Sequence, residues 1–315
     1  MTLAQLGADV IRFDPIGGGL DYTRWPIAKD GTSLFWAGLN KGKRSIALDL
    51  SKPEGQEIAQ ALITAPGKDA GVFLTNFPAR GFLDYDKLKA RRADLVMLAV
   101  TGHHDGSSAV DYTVNCSVGY PFITGPEDLT EPVNHALPAW DGICGLTAAT
   151  GILAAERYRS RTGQGRFVTL ALSDVALAFA ANTGFVAELA VNGEDRPRIG
   201  NYLYGAFGKD FITKDGRRVF IVGLTARQWA GIKKATGLGP AFDAIAARTG
   251  LDLSAEGNRY KARVEIAAAI APWVAARTLD EVGTIFDAGG VTWGPYRTFR
   301  QMVAEDPACS EANPM

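Results

Sequence analysis

Gly71-Val-Phe-Leu-Thr75, Tyr85-Asp-Lys-Leu-Lys-Ala-Arg-Arg92 and Leu95-Val-Met-Leu-Ala-Val100 follow one another in the chain, and together they decide its fold class. The outer two are short apolar runs that read as strands; the middle one has helical spacing. Strands joined through a helix lie parallel in one sheet. The same alternation continues on the N-terminal side. Ser45–Leu50 reads as a strand, followed by a helix from Pro53-Glu-Gly55 to Ile63. Asp9-Val-Ile-Arg-Phe13 reads as a strand after the end of a helix at Leu3–Leu6. The expectation is an α/β fold with a mainly parallel sheet. A sheet of this kind calls for a strand before Leu3, so the chain is expected to lack its first element.

On the C-terminal side the pattern turns helical. Asp141–Tyr158 reads as a helix, Gly163-Gln-Gly165 as a turn and Arg166–Leu170 as a strand. Ser173–Val191 reads as one helix, whose small and apolar character suggests burial. Asn192-Gly-Glu-Asp-Arg-Pro197 reads as a surface turn. The loop 200–208 is rich in glycine and tyrosine. Asp210–Thr213 and Arg217–Val222 form a hairpin around Lys214-Asp-Gly216, and amphipathic helices fill 226–286. The expected division is a large domain over 1–194, a small α+β domain over 195–290, and the start of a return to the large domain over 291–315.

The 315 residues suffice for a sizeable core, and 47% apolar against 21% charged is ordinary for a globular protein. A net charge of -1 gives no reason to expect nucleic acid as a partner. No run of eighteen apolar residues predicts a membrane span. Cys116, Cys144 and Cys309 are few and widely spaced, which fits a reducing cytoplasm and predicts neither disulfides nor a metal site. Cys144 reads as a small core residue.

Leu137-Pro-Ala-Trp-Asp141-Gly-Ile-Cys-Gly145 carries the chemistry. It sets a carboxylate at a helix start, where free N–H groups and the dipole favour the charged form. An N-cap is the ordinary reading of such an aspartate. The sharper one is a covalent acyl-transfer nucleophile, because Gly142 and Gly145 leave room for a substrate carbonyl. His135 reads either as a structural histidine or as an acid/base or carboxylate-binding group. Asn40-Lys-Gly-Lys43-Arg44 reads as a solvated loop or as an anion clamp. Asn76-Phe77-Pro-Ala-Arg80 follows a strand end, where open α/β sheets bind ligands: Phe77 could stack on a base and Arg80 hold a phosphate. Gly17-Gly-Gly19 has the wrong spacing for a dinucleotide loop, and His103 and His104 read as surface residues.

Leu6-Gly-Ala-Asp-Val-Ile11, Asn40-Lys-Gly-Lys-Arg-Ser-Ile-Ala-Leu-Asp-Leu50, Pro53-Glu-Gly55, Asn76-Phe77, Asp141 with Gly145, Gly151-Ile152, Thr162-Gly-Gln-Gly165 and Gly294-Pro295 occur in one order along nearly the whole chain. In this the sequence resembles the family III CoA-transferases, the group of formyl-CoA transferase, carnitine CoA-transferase and α-methylacyl-CoA racemase. The resemblance implies a Rossmann-like large domain, a small α+β domain and an interlocked homodimer. It implies an acyl-CoA substrate, with CoA entering as part of that substrate and no other cofactor. Asp141 matches the family's nucleophile. Leu48, Leu50, Asn76, Phe77 and Arg80, with Lys43 and Arg44 beside them, match the region that holds CoA. Gly200, Asn201, Tyr204 and Gly205, with His135, match the acyl pocket, and Tyr202 and Tyr204 are a candidate lid.

Within the family, Asp111-Tyr-Thr-Val-Asn115, Val133-Asn-His-Ala-Leu-Pro-Ala-Trp-Asp141 and Gly200-Asn-Tyr-Leu-Tyr-Gly-Ala-Phe207 resemble the members that act on a branched C4 dicarboxylate, and this resemblance implies intramolecular CoA transfer between its two carboxyls. Intermolecular transfer to a free acid, racemisation and non-catalytic CoA binding are the alternatives. The racemases carry a histidine just before the segment matching Asp111-Tyr112; Val110 stands there in this chain, which argues against racemisation. The family's first strand, its glutamine-bearing loop and most of its C-terminal return have no counterpart, so both ends are expected to be truncated.

Overall fold

The computed structural model describes residues 1–313; Pro314 and Met315, the end of the expected return segment, lie outside the described residues. The chain divides into two compact units, one of residues 1–121 and 134–196, the other of residues 122–133 and those from 197 onward.

The first unit is built on parallel strands, in two sheets rather than the one expected. β1 (Val10–Asp14) pairs with β2 (Lys43–Ala47), and β3 (Val72–Thr75), β4 (Val96–Thr101) and β5 (Arg166–Ala171) form a sheet in the order β3-β4-β5. β4 is central, and Leu95, Val96, Met97 and Leu98 have almost no exposure. A strand covered on both faces reads as an unbroken apolar run, which is how 95–100 reads. The helix Tyr85–Arg91 connects β3 to β4, and the Asp84 side chain caps it by accepting from the Asp86 and Lys87 amides at 3.1 and 3.2 Å. The long helix Ala139–Thr162 leads into β5 through Gly165. A Cβ at Gly165 would lie 2.0 Å from the Leu95 carbonyl oxygen, so only glycine lets the chain enter β5 this close to β4.

Two expectations change here. β2 begins at Lys43, not Ser45, because pairing with Val10 and Ile11 carries Lys43 and Arg44 into the strand. The helix expected over 173–191 is two helices, Leu172–Asn182 and Phe185–Asn192, bent by 55° at Gly184, whose φ of +91° a helix interior does not accommodate. Its expected burial holds for one face of the first helix, where Ser173, Val175, Ala176 and Ala180 are buried, and fails elsewhere: Leu177, Phe179, Val186, Leu189 and Val191 are exposed. Among the described residues no single helix is long and apolar enough to cross a membrane.

The second unit holds an antiparallel sheet, β6 (Phe207–Ile212), β7 (Arg218–Gly223) and β8 (Thr292–Pro295), in the order β6-β7-β8. β6 and β7 are the expected hairpin. β8 shows that 291–295 complete this sheet instead of starting a return to the large domain. Phe207, Ile221, Trp229, Phe242, Ile266, Ile270 and Phe286 form the core under it. Arg259 is buried there without an ion-pair partner among the described residues; its guanidinium donates to the carbonyls of Gly223, Leu224, Leu253 and Ser254. Burial of a charge is tolerated when its donors find acceptors, and four of the five N–H groups do so here.

Candidate active site

The long helix fixes Asp141 by burying its neighbours. Trp140, Cys144, Ala148, Ile152, Ala155 and Arg159 recur at helical spacing and are buried as one stripe. Ala148 and Ile152 pack with Leu98 of β4, and Trp140 and Cys144 pack with Val114, Leu172 and Val175. Consecutive helix residues point about 100° apart, so Asp141 leaves the helix beside the Trp140 anchor and is exposed. At the far end, the Arg159 guanidinium donates to the carbonyls of Ala70 and Gly71 at 2.8 and 3.0 Å, tying the helix to the start of β3.

The helix begins at Ala139, two residues before the expected start, so Asp141 lies inside the first turn and is not the N-cap. The N-cap is Pro138, which offers no side-chain acceptor. Asp111 does the capping from a different helix, Asp111–Cys116: its Oδ2 accepts from the Trp140 and Asp141 amides at 2.7 and 3.1 Å. Ala139 and Gly142 donate to the carbonyls of Leu137 and Pro138 at 2.8 and 3.1 Å. All four first-turn amides are therefore occupied, and the Gly142 amide is not a free oxyanion donor.

Asp111 is almost fully buried, and its Oδ1 lies 2.8 Å from His135 Nε2. Tyr112 and Trp140 flank the imidazole. A second chain of bonds runs beside it: the Trp140 indole donates to Asn115 at 3.0 Å, and Asn115 to Asn134 at 3.1 Å.

These surroundings shift Asp141 opposite to the sequence expectation. Its carboxyl is pushed above the usual carboxylate range, by partial loss of hydration first and then by the negative charge of Asp111, with Arg24 opposing. Burial, and then Asp141, push the Cys144 thiol up to about 11. Cys144 is thus a neutral core residue. A Cβ at Gly142 or Gly145 would meet nothing within 4 Å, so the face around Asp141 is open as expected.

The other sequence candidates separate into groups. Leu48, Leu50, Asn76, Phe77 and Arg80 all follow the C-terminal ends of β2 and β3. Phe77 is exposed, its amide bound to Thr75 Oγ1 at 3.0 Å, while the Leu48 side chain is buried. Lys43 and Arg44 sit at the opposite end of β2. Lys43 donates to Asn40 at 2.8 Å and Arg44 pairs with Asp9 at 2.5 Å. The five-residue strand sets them about 16 Å from Leu48 and Leu50. Gly200, Asn201, Tyr204 and Gly205 lie in the second unit, in the loop before β6. Burial raises the Asp210 carboxyl, but Lys209, Arg218 and Asn201 outweigh this and hold it low, so Asn201 is engaged there. Tyr204 packs on Tyr260, and Lys209 lies over Tyr202.

Sequence reasoning passed over Asp111, Asn115, Asn134 and Arg24 as site residues. The signal for Asp111 was a helix start at Pro138 with no cap of its own. Arg24 is exposed, its guanidinium 5.3 Å from the Phe35 ring centroid and without a carboxylate partner among the described residues.

The family model of CoA-transferase family III matches residues 1–313. The chain belongs to CoA-transferase family III. It is 61% identical over 316 residues to the 2-methylfumaryl-CoA isomerase of Chloroflexus aurantiacus, covering 100% of this chain and 77% of that protein. It is 28% identical to the succinyl-CoA:mesaconate CoA-transferase of Haloarcula marismortui, covering 88% of this chain and 70% of that one. The fold is similar to that of a CAIB/BAIF family protein from Brucella suis, with a TM-score of 0.77, 25% identity, and coverage of 97% of this chain and 81% of that one.

Proposed function

We propose that the protein moves CoA between the C1 and C4 carboxyls of mesaconate, interconverting 2-methylfumaryl-CoA and its C4 isomer through a covalent adduct on Asp141. The observation that carries this reading is the state of Asp141. Its carboxylate is relieved of capping by Asp111, anchored by Trp140 and bordered by an open glycine face. The substrate follows from the likeness to the isomerase.

Ionised Asp141 attacks the thioester carbonyl, forming a mixed anhydride and releasing CoA thiolate. The thiolate attacks the aspartyl carbonyl, giving an aspartyl-CoA thioester and the free diacid. The other carboxylate of the diacid attacks that thioester and again releases thiolate. Attack of the thiolate on the diacid carbonyl of the new anhydride returns Asp141 and forms the C4 thioester. No water and no net proton enter. Holding the diacid beside the acylated aspartate contributes on the order of 7–11 kcal/mol. Water must be excluded while the anhydride exists.

CoA lies along Leu50, Asn76, Phe77 and Arg80, with Leu48 supporting them from beneath. Phe77 offers an exposed ring for the adenine, and Arg80 is exposed and without a carboxylate partner among the described residues. His135 serves the acyl group. The protein acts as a homodimer, which the exposed apolar side chains of Leu177, Val186 and Leu189 favour. It works in a reducing cytoplasm, consistent with three unpaired cysteines.

Incubation with 2-methylfumaryl-CoA, followed by chromatography, should yield the C4 isomer. Labelled free mesaconate should stay out of the CoA ester; its incorporation would move the assignment to intermolecular transfer. Absence of any isomer would remove the proposal.

A further inference from the structure

Intramolecular transfer needs a group that recognises the carboxylate not yet carrying CoA. His135 has the connections for it. Its side chain is 25% exposed and its Nε2 faces the Asp111 carboxylate, which is 2% exposed. That carboxylate already accepts from two amides, so it takes a third proton from Nε2–H. Nδ1 has no hydrogen-bond partner among the described residues. One carboxylate thus links the imidazole at Oδ1 to the Asp141 backbone at Oδ2. Tyr112 and Trp140 fix the ring plane at centroid distances of 6.2 and 6.4 Å. With Nε2–H committed to an anion, a second proton on Nδ1 makes an imidazolium whose free N–H points away from Asp111.

We propose that His135, oriented by the buried Asp111, is the specificity-determining residue that binds the free carboxylate of the acyl group through Nδ1–H. The proposal rests on the isomerase reading above and assigns its second carboxylate to one atom. Asp111 is then a positioning residue for both partners of the substrate: it holds the amide of the residue that attacks one carboxyl and the ring that holds the other. The groups facing His135 are Asp111 and Tyr112 from one helix and Trp140 from the other.

The test compares two thioesters in single-turnover CoA release from the whole protein. One is 2-methylfumaryl-CoA; the other is tiglyl-CoA, which has a methyl group where the first has its free carboxylate. The native protein should favour the first by about 10- to 100-fold, the span of one hydrogen bond to a charged group. In His135→Gln the amide nitrogen reaches as far as Nε2, so the Asp111 bond survives and only the outward donor is lost. That variant should lose the preference through slower reaction with 2-methylfumaryl-CoA. In His135→Asn the nitrogen reaches only as far as Nδ1, so it should keep more of the preference than Gln. A preference intact in His135→Gln, equal slowing with both thioesters, or the reverse ranking of Gln and Asn would overturn the proposal. Loss of the preference in Arg24→Met with His135→Gln unaffected would overturn it in favour of Arg24. Failure of the native protein to react with either thioester sinks the isomerase reading itself.

Discussion

Asp141 must be ionised to attack a thioester, yet its surroundings favour the neutral form. The acid limb of kcat/KM should therefore lie above the ordinary carboxylate range. Stability has the opposite sign. The folded chain holds this proton to higher pH than the unfolded one, so the group's contribution is greatest below the unfolded value and is lost as pH rises through the folded one. Asp141→Asn should abolish transfer and keep CoA binding. Its melting temperature should match the native one in acid and exceed it increasingly toward neutrality. An acid limb at the usual aspartate position, or a less stable Asn variant at neutral pH, would contradict the account. An open carboxylate at position 141 was legible because glycines beside an acid at a helix start are a local pattern. Its cap was not, because Asp111 stands thirty residues away and only the fold brings it to the Asp141 amide.

At the scale of elements, the sheet depends on the approach of Gly165 to Leu95. A methyl group 2.0 Å from a backbone oxygen cannot be absorbed by a rotamer change, so Gly165→Ala must displace the start of β5. We expect a loss of about 3 kcal/mol in denaturant unfolding; a loss below about 1 kcal/mol would mean that β5 re-seats freely. β3, β4 and the helix between them were legible to within a residue or so because burial writes itself into an apolar run. The start of β2 was not, since pairing with β1 drew in two cations that its composition argued against. The break before Phe185 was hidden too. A single glycine among apolar residues marks either a tolerated helix position or a bend, and the difference lies in φ.

At the scale of the whole molecule, the proposed dimer makes a simple claim about the exposed side chains of the helices Leu172–Asn182 and Phe185–Asn192. Leu177 is 52% and Leu189 50% exposed. Exposed apolar side chains that combine into one patch mark association. The double variant Leu177→Glu, Leu189→Lys should sediment as a monomer where the native protein sediments as a dimer. A native monomer, or a dimer untouched by both charges, would place the interface elsewhere or remove it. Sequence reasoning took these residues for core because apolar helices are usually buried; whether the burial comes from the same chain or another is not written in their pattern.

The empty space beside Gly142 and Gly145 separates two kinds of selection. Neither residue has the backbone conformation that demands glycine, and a helix gains up to about 1 kcal/mol when alanine replaces it. Folding alone would fill both places. On the proposed function, what keeps them vacant is traffic: a thioester docking against the carboxylate needs that volume, and the polypeptide forgoes a sturdier helix to leave the berth clear.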